Sequence, residues 1–72
     1  MSKTEFSRRL SQLRVSRGLT QGDLADALGM SRSAIGMYEQ GRREPDFITA
    51  DAFADYFGVS LSYLLGSTDD QG

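Results

Sequence analysis

The side chains best suited to chemistry in this chain are its arginines. Seven of the eight basic residues are Arg, and all eight lie before residue 44. Because the guanidinium group is planar and always charged, it fits two phosphate oxygens or the O6 and N7 edge of guanine. Residues 1–43 carry a net charge of +4, whereas residues 44–72 have six acidic and no basic residues. This asymmetry predicts one basic surface for a nucleic acid on a molecule whose total charge is −2.

Two residue types that are common in catalytic and metal sites are missing. The chain has no Cys and no His, so it lacks disulfides, zinc fingers, the commonest general base and the commonest metal ligand. With 72 residues it forms one domain with a small core and has no room for a deep cleft. We therefore expect no enzymatic activity, no metal site and no cofactor.

The apolar residues are distributed as in a protein outside the membrane. No stretch approaches the roughly 20 apolar residues of a membrane span. The first five residues show no apolar run after Lys3, so they do not resemble a signal peptide. We expect a cytoplasmic location and no membrane partner.

Five short helical segments must position the polar side chains. Each segment ends before a glycine, which tolerates the left-handed conformation that follows a helix. These glycines are Gly18, Gly29, Gly41, Gly58 and Gly66. The expected helix starts are Ser2 with Glu5, Thr20 with Asp23, Ser31, Pro45-Asp46, and Ser60.

Apolar residues recur at helical spacing in every segment, and no segment alternates as a strand does. The predicted core residues are Phe6, Leu10, Leu13, Leu24, Ala25, Leu28, Ile35, Tyr38, Phe47, Ala50, Phe53, Ala54, Phe57, Leu61 and Leu64. The sequence therefore predicts an all-α fold, a compact five-helix bundle over residues 1–66. Residues 67–72 are expected to be a polar tail or a linker stump. Arg8 and Arg9 are expected on a solvated face of the first helix.

The second and third segments form the most specific motif. Two short helices meet through a three-residue turn that begins with Gly29, which is typical of a helix-turn-helix. Small Ala25 allows the two helices to approach closely. The outward side of the third helix then carries one continuous face, made of Arg32, Ser33, Gly36, Met37 and Gln40. We predict that Ser31 to Gln40 is the helix that enters the DNA major groove.

These residues give the chain a resemblance to the Cro/repressor, or XRE-like, helix-turn-helix family of phage and bacterial regulators. The resemblance runs from about Glu5 to Gly66. Its marks are Leu13-Arg14, Gly18-Leu19-Thr20-Gln21, Leu24-Ala25, Leu28-Gly29-Met30-Ser31, Ile35, Tyr38-Glu39-Gln40-Gly41-Arg42, Pro45, Phe57-Gly58-Val59-Ser60 and Tyr63-Leu64-Leu65-Gly66. The resemblance implies a lambda-repressor-like bundle that binds double-stranded DNA.

The resemblance also implies roles for the residues that open the two helices. Gln21 and Ser31 would bind backbone phosphates, the latter helped by the dipole of the third helix. Arg32 and Ser33 would contact base edges. The residues alone leave open whether Arg32 contacts only phosphate, and whether Gln21 serves only the start of its helix.

Two further groups follow from the same resemblance. Gln40, Arg42 and Arg43 would bind the phosphate strand again after the third helix, although Arg42 and Arg43 could equally be a solvated run. Arg14 and Glu39 would form a structural salt bridge between the first and third helices, with no direct contact to DNA.

The chain departs from the family pattern at Gly36 and Met37, where many members carry polar base-reading side chains. Gly36 would permit close approach to the groove, and Met37 would contact a thymine methyl group. Readout would then rest heavily on Arg32 and Ser33. Tyr63 and Leu65 are apolar positions that the Leu61–Leu64 face does not obviously bury, and we expect them at a dimer interface. The alternative is that both residues complete the core of the monomer.

The predicted function is that of a transcriptional regulator, a repressor that binds a near-palindromic operator as a homodimer. An antitoxin or a controller of a restriction–modification system would have the same fold. A protein-interaction module without DNA binding is the alternative from another class, but such a module has no need of Arg32 on the outward face of the third helix.

Overall fold

The computed structural model describes residues 4–72, which fold as five helices without strands, so the predicted all-α class is confirmed. The helices are α1 (Glu5–Ser16), α2 (Gln21–Leu28), α3 (Arg32–Glu39), α4 (Phe47–Phe57) and α5 (Leu61–Leu64). α2 and α3 pack against each other, α1 packs against α3 and α5, and α4 packs against α5.

The helix starts follow the capping signals with one correction. Ser2 lies outside the described residues, and α1 is instead capped by Thr4, whose Oγ1 accepts the N–H of Ser7 at 3.1 Å. Thr20 and Asp23 form a reciprocal capping box at α2. Ser31, Asp46 and Ser60 cap the remaining helices.

Two capping carboxylates have lowered pKa values. The N–H of Thr20 donates to Asp23 at 2.9 Å, and this backbone hydrogen bond, followed by that of the Thr20 side chain, lowers the pKa of Asp23. Hydrogen bonds from Thr49 lower the pKa of Asp46 in the same way, with a smaller contribution from the charge of Arg43. Both carboxylates therefore favour the folded chain in their ionised form.

The core lies where α1, α3 and α4 converge. The rings of Phe6, Tyr38 and Phe53 contact one another with centroids 5.6 to 6.1 Å apart. The buried apolar residues are Phe6, Leu10, Leu13, Leu24, Ala25, Ile35, Tyr38, Ala50, Phe53, Ala54, Phe57 and Leu64. Leu28 is partly buried beside them. The helical periodicity of the sequence thus identifies most of this core.

Two core predictions were wrong. Leu61 is only partly buried and does not belong to the core cluster, and Phe47 lies at the surface. Its side chain is 72% exposed and that of its neighbour Ile48 is 80% exposed. Phe47 has the correct spacing to Ala50, but it is the first residue of α4, and burial on this helix begins one turn later. Periodicity therefore identifies the inward face of a helix without showing how far the core extends along it.

The prediction for Arg9 was also wrong. Arg8 is exposed, but the Arg9 side chain is only 12% exposed. Its Nη1 donates to the carbonyl oxygens of Tyr63 and Thr68, each at 2.6 Å, and its Nη2 donates to Asp69 at 2.8 Å. Its guanidinium also stacks on the Tyr63 ring, 4.3 Å from the centroid. Arg9 thereby holds Thr68 and Asp69 against α1 and α5.

Candidate nucleic-acid interface

The outward face of α3 forms one wall of an open recess of about 350 Å³. Its lining brings together six of the nine residues predicted to contact DNA, namely Gln21, Arg32, Ser33, Gly36, Met37 and Gln40. The three-residue turn Gly29-Met30-Ser31 makes this possible, because Gly29 takes a left-handed conformation with φ of 67° and turns the chain sharply between α2 and α3. The recess contains no acidic residue.

A buried ion pair lies directly behind this recess. Glu39 is only 4% exposed, and its carboxylate accepts from Arg14 Nε at 2.6 Å and from Arg14 Nη2 at 3.1 Å. Arg14 Nη1 also donates to the carbonyl oxygen of Leu19 at 2.7 Å. The hydrogen bond with Glu39 raises the pKa of Arg14, although burial acts in the opposite direction. The pair joins α1 to the end of α3 and neutralises the acidic side chain of α3.

The same carboxylate fixes the position of Gln21. Gln21 Nε2 donates to Glu39 Oε1 at 3.2 Å, and its amide lies over Gly36. One amide N–H is therefore used within the protein, while the other has no hydrogen-bond partner among residues 4–72. The sequence did not predict this hydrogen bond between Gln21 and Glu39, because the two residues are 18 positions apart and belong to different helices.

The helix termini of α3 place the remaining candidate ligands. Ser31 Oγ accepts the N–H of Ala34 at 3.1 Å, so the hydroxyl caps the helix and keeps its own proton to donate. Arg42 and Arg43 follow α3 on the surface. The guanidinium of Arg43 lies 5.4 Å from the centroid of the Tyr38 ring, whereas Arg42 extends into solvent.

The two residues predicted at a dimer interface have different surroundings. Tyr63 is half-buried, packs against the core and lies under Arg9. Leu65 is 45% exposed and lines a groove with Phe6 and Pro45. Within the monomer, Tyr63 therefore already has apolar contacts on its ring, and Leu65 offers more free apolar surface.

The sequence contained a signal for Arg9. Arg9 follows Phe6 by three residues and precedes Leu13 by four, so it lies at the edge of the apolar stripe of α1. A charged side chain at such a position lies beside buried groups and needs partners there. Its partners could not be identified, because they lie about 60 residues away.

Comparison with known proteins agrees with this geometry. The pattern of the family described as helix-turn-helix matches residues 10–64. This chain belongs to the helix-turn-helix family. The match includes the whole recess, the ion pair behind it and Arg42 and Arg43, and it confirms the XRE-like resemblance of the sequence.

Two curated relatives and one solved structure illustrate the relationship. The SPbeta prophage-derived HTH-type transcriptional regulator YonR of Bacillus subtilis is 41% identical over 66 residues, which are 92% of this chain and 61% of YonR. The cryptic phage CTXphi transcriptional repressor RstR of Vibrio cholerae is 30% identical over 89% of this chain and 58% of its own length. This helix-turn-helix chain thus spans about three fifths of both relatives.

The crystal structure of the restriction–modification controller protein C.AhdI from Aeromonas hydrophila superposes with a TM-score of 0.77 and 31% identity. The alignment covers 85% of this helix-turn-helix chain and 92% of C.AhdI. No helix in residues 4–72 is long and apolar enough to cross a membrane. The same part of the chain contains no cluster of acidic side chains suited to a metal ion.

Proposed function

We propose that this helix-turn-helix chain is a sequence-specific regulator of transcription that represses its target as a homodimer on a near-palindromic operator. The observation that carries the proposal is the recess on α3. It gathers polar side chains from two helices, it is open to solvent, its lining includes no acidic residue, and the Glu39 carboxylate behind it is buried and paired with Arg14. A surface of this kind attracts phosphate and admits the edges of bases.

The contacts divide into two classes. Gln21, Ser31, Arg42 and Arg43 lie at helix ends and in the loop after α3, from which they would bind phosphates and set the position of α3. Arg32, in the first turn of α3, would reach into the major groove and pair with guanine O6 and N7, with Ser33 beside it. Phosphate contacts would supply most of the affinity, and the base contacts would supply the preference for a sequence.

The homodimer is proposed because one α3 covers only a few base pairs. Two copies related by a two-fold axis would contact two half-sites about one helical turn, roughly 34 Å, apart. Leu65, with Tyr63 behind it, is the apolar surface that we assign to this contact. The name of RstR supports repression, since that relative is a transcriptional repressor.

A second candidate is a controller of a restriction–modification system. It is favoured by the alignment with C.AhdI, which covers nearly all of that protein. The two candidates share their mode of DNA binding and differ in the genes that they regulate. Binding to the promoter of a neighbouring restriction–modification operon would favour the controller.

In-vitro selection from a random duplex pool tests the proposal. We expect enrichment of an inverted repeat, and an affinity for the selected duplex that falls steeply with salt. Each neutralised phosphate contributes a slope of about −0.9 in log K against log salt concentration, and we expect roughly four to six such contacts per subunit. A pool without enrichment, together with binding that does not respond to salt, would contradict DNA recognition.

A further inference from the structure

Residues 67–71 fold back along α5 and contact both of its ends. The N–H of Ser67 donates to the carbonyl oxygen of Ser62 at 2.8 Å. The N–H of Ser60, the cap residue of α5, donates to the carbonyl oxygen of Gln71 at 2.6 Å. Residues 67–71, which we call the strap, therefore run from the end of α5 back to its start.

Arg9 joins the strap to α1 and α5. Its Nη1 donates to the carbonyl oxygens of both Tyr63 and Thr68, so one nitrogen bridges α5 and the strap. Its Nε lies 3.4 Å from a carboxylate oxygen of Glu5 on α1. The guanidinium group presents its N–H donors in a rigid plane, and this fork holds the three segments in one geometry.

α5 depends on these partners because it is short. It has four residues, and an isolated helix of this length is unstable in water. Leu64 is the buried residue of α5. Leu65, which the proposed function assigns to the dimer contact, follows directly and is 45% exposed. The strap and Arg9 therefore fix the segment that carries Leu65.

A small interface benefits from a segment that is ordered before association. The interface between two subunits of so small a chain is limited in area, and ordering a segment on binding subtracts from the affinity. When only a fraction of the molecules holds the binding conformation, the apparent affinity falls by that fraction. An α5 that Arg9 keeps in place avoids this loss.

We propose that Arg9 is a positioning residue for the homodimer, and that it acts through the strap to hold Leu65 in the conformation that meets the second subunit. This inference rests on the proposed function and adds to it the group that organises the dimer contact. Arg9 does not line the recess on α3. Its effect should therefore fall on the association of two subunits and not on the contact of one subunit with DNA.

Arg9→Gln is the informative variant, and Arg8→Gln is its matched control. Both changes remove one positive charge from α1, so they alter the general attraction to DNA by similar amounts. Gln retains a polar side chain but lacks the guanidinium fork that bridges α5 and the strap. The Arg8 side chain is 57% exposed and pairs with Glu5 on its own helix.

The measurement compares the duplex obtained by in-vitro selection with a duplex that carries one of its half-sites. The gain in affinity per subunit on the full site measures the cooperativity, and a general change in affinity cancels in this ratio. We expect Arg9→Gln to reduce the gain by about tenfold, the effect of one lost hydrogen bond to a charged group. Its affinity for the half-site should equal that of Arg8→Gln, and Arg8→Gln should keep the full gain.

A second pair of variants alters the strap and leaves Arg9 in place. Asp69 accepts from Arg9 Nη2 at 2.8 Å, and its side chain is fully exposed. Asp69→Lys places a positive charge beside the guanidinium group, so it should lower the gain without disturbing the core. Asp70→Lys makes the same change of charge at the next residue, which is also exposed, and should leave the gain unchanged.

The outcomes separate this inference from the function on which it rests. A folded Arg9→Gln variant that binds the full site as cooperatively as Arg8→Gln would overturn the inference and leave the regulator intact. A folded Arg9→Gln variant with weaker half-site binding than Arg8→Gln would also overturn it, because Arg9 would then support the DNA-binding surface. If Arg9→Gln does not fold, equal gains in Asp69→Lys and Asp70→Lys overturn the inference.

Two further results are decisive. Greater cooperativity in Arg9→Gln or Asp69→Lys would contradict the inference, because the strap would then oppose association. Sequence-specific binding without cooperativity in the original chain would contradict the proposed homodimer and the role of Arg9 together.

Discussion

Glu39 shows how one residue serves both the fold and the proposed interface. Its carboxylate is buried, holds Arg14 on one side and orients the amide of Gln21 on the other. The sequence motif identified Arg14, Gln21 and Glu39 as residues to which the family resemblance assigns a role. It did not reveal that Glu39 contacts Gln21, because that contact depends on how far α2 and α3 are rotated about their axes, which spacing alone does not define.

Arg32 and Arg42 should respond differently to truncation. Arg32→Ala should reduce the preference for the selected duplex over an unrelated duplex by about 1–3 kcal/mol, since a base contact is lost. Arg42→Ala should weaken both duplexes equally and lower the salt slope by about one, since a phosphate contact is lost. Affinities measured on both duplexes across a range of salt concentrations check this. An equal loss on both duplexes in Arg32→Ala would show that Arg32 is only a phosphate ligand.

At the scale of the elements, local signals determined the helices well. Capping residues and the glycines that follow helices act within four residues, so α2, α3, α4 and α5 begin beside the caps that the sequence predicted. The predictions for Arg9 and Phe47 were wrong, because the burial of these side chains depends on packing between distant parts of the chain. Arg9 is covered by Tyr63, Thr68 and Asp69, and Phe47 is exposed because burial on α4 starts after its first turn.

The capping carboxylates predict how stability depends on pH. Asp23 and Asp46 have pKa values below those of the unfolded chain, so their stabilisation is present above about pH 4 and is lost as pH falls through the folded values. Asp23→Asn and Asp46→Asn should therefore each flatten the fall in melting temperature on acidification. Thermal unfolding between about pH 2 and 7 measures this.

The control for that prediction is the double variant, because the two caps belong to separate helices. Its acid dependence should be flatter than that of either single variant, by the sum of the two effects. Single variants with the same acid dependence as the original chain would show that these caps do not contribute to it.

Gly66 should be less tolerant of a side chain than Gly58. Both residues are left-handed, with φ of 84° and 68°, which costs a residue with a Cβ about 1–2 kcal/mol. A Cβ at Gly66 would also lie 2.5 Å from Cβ of Glu5, whereas a Cβ at Gly58 meets no atom within 4 Å. Gly66→Ala should thus lower the free energy of unfolding clearly more than Gly58→Ala does in denaturant titrations. Equal losses would mean that α1 and α5 move apart easily.

At the scale of the whole molecule, charge is separated between two parts of the chain. The basic residues all precede residue 44, and the recess lies within that part. α4, α5 and the residues that follow carry only acidic charge. A duplex that approaches the recess would meet the part of the chain that carries all the basic residues, which favours the docking of α3 before any base is read.

The proposed dimer contact is tested by Leu65→Glu. We expect two subunits per selected duplex, bound cooperatively, and a mainly monomeric protein in solution at micromolar concentration, because the interface in so small a chain is limited in area. Leu65→Glu should abolish cooperativity without unfolding the protein, since Leu65 is exposed. Analytical ultracentrifugation and titrations of the duplex measure both quantities.

Val15→Glu is the matched control for that variant. Val15 is also an exposed apolar residue, but it lies on the outer face of α1 beside Arg8 and Gln12. Its replacement should leave cooperativity unchanged. One subunit per selected site, or cooperative binding that persists in Leu65→Glu, would contradict the assigned interface.

The contact between Glu5 and Gly66 brings the first turn of α1 against the end of α5, which almost closes the described chain into a ring. Domains whose ends adjoin tolerate circular permutation. A short linker from residue 66 to residue 5, with new termini in the loop between α3 and α4, would place α4 first and α3 last. It would keep the packing among the five helices, and Arg9 would lose Thr68 and Asp69 as partners. The five helices can therefore follow one another in a different order along the chain without a change in the packing that positions α3.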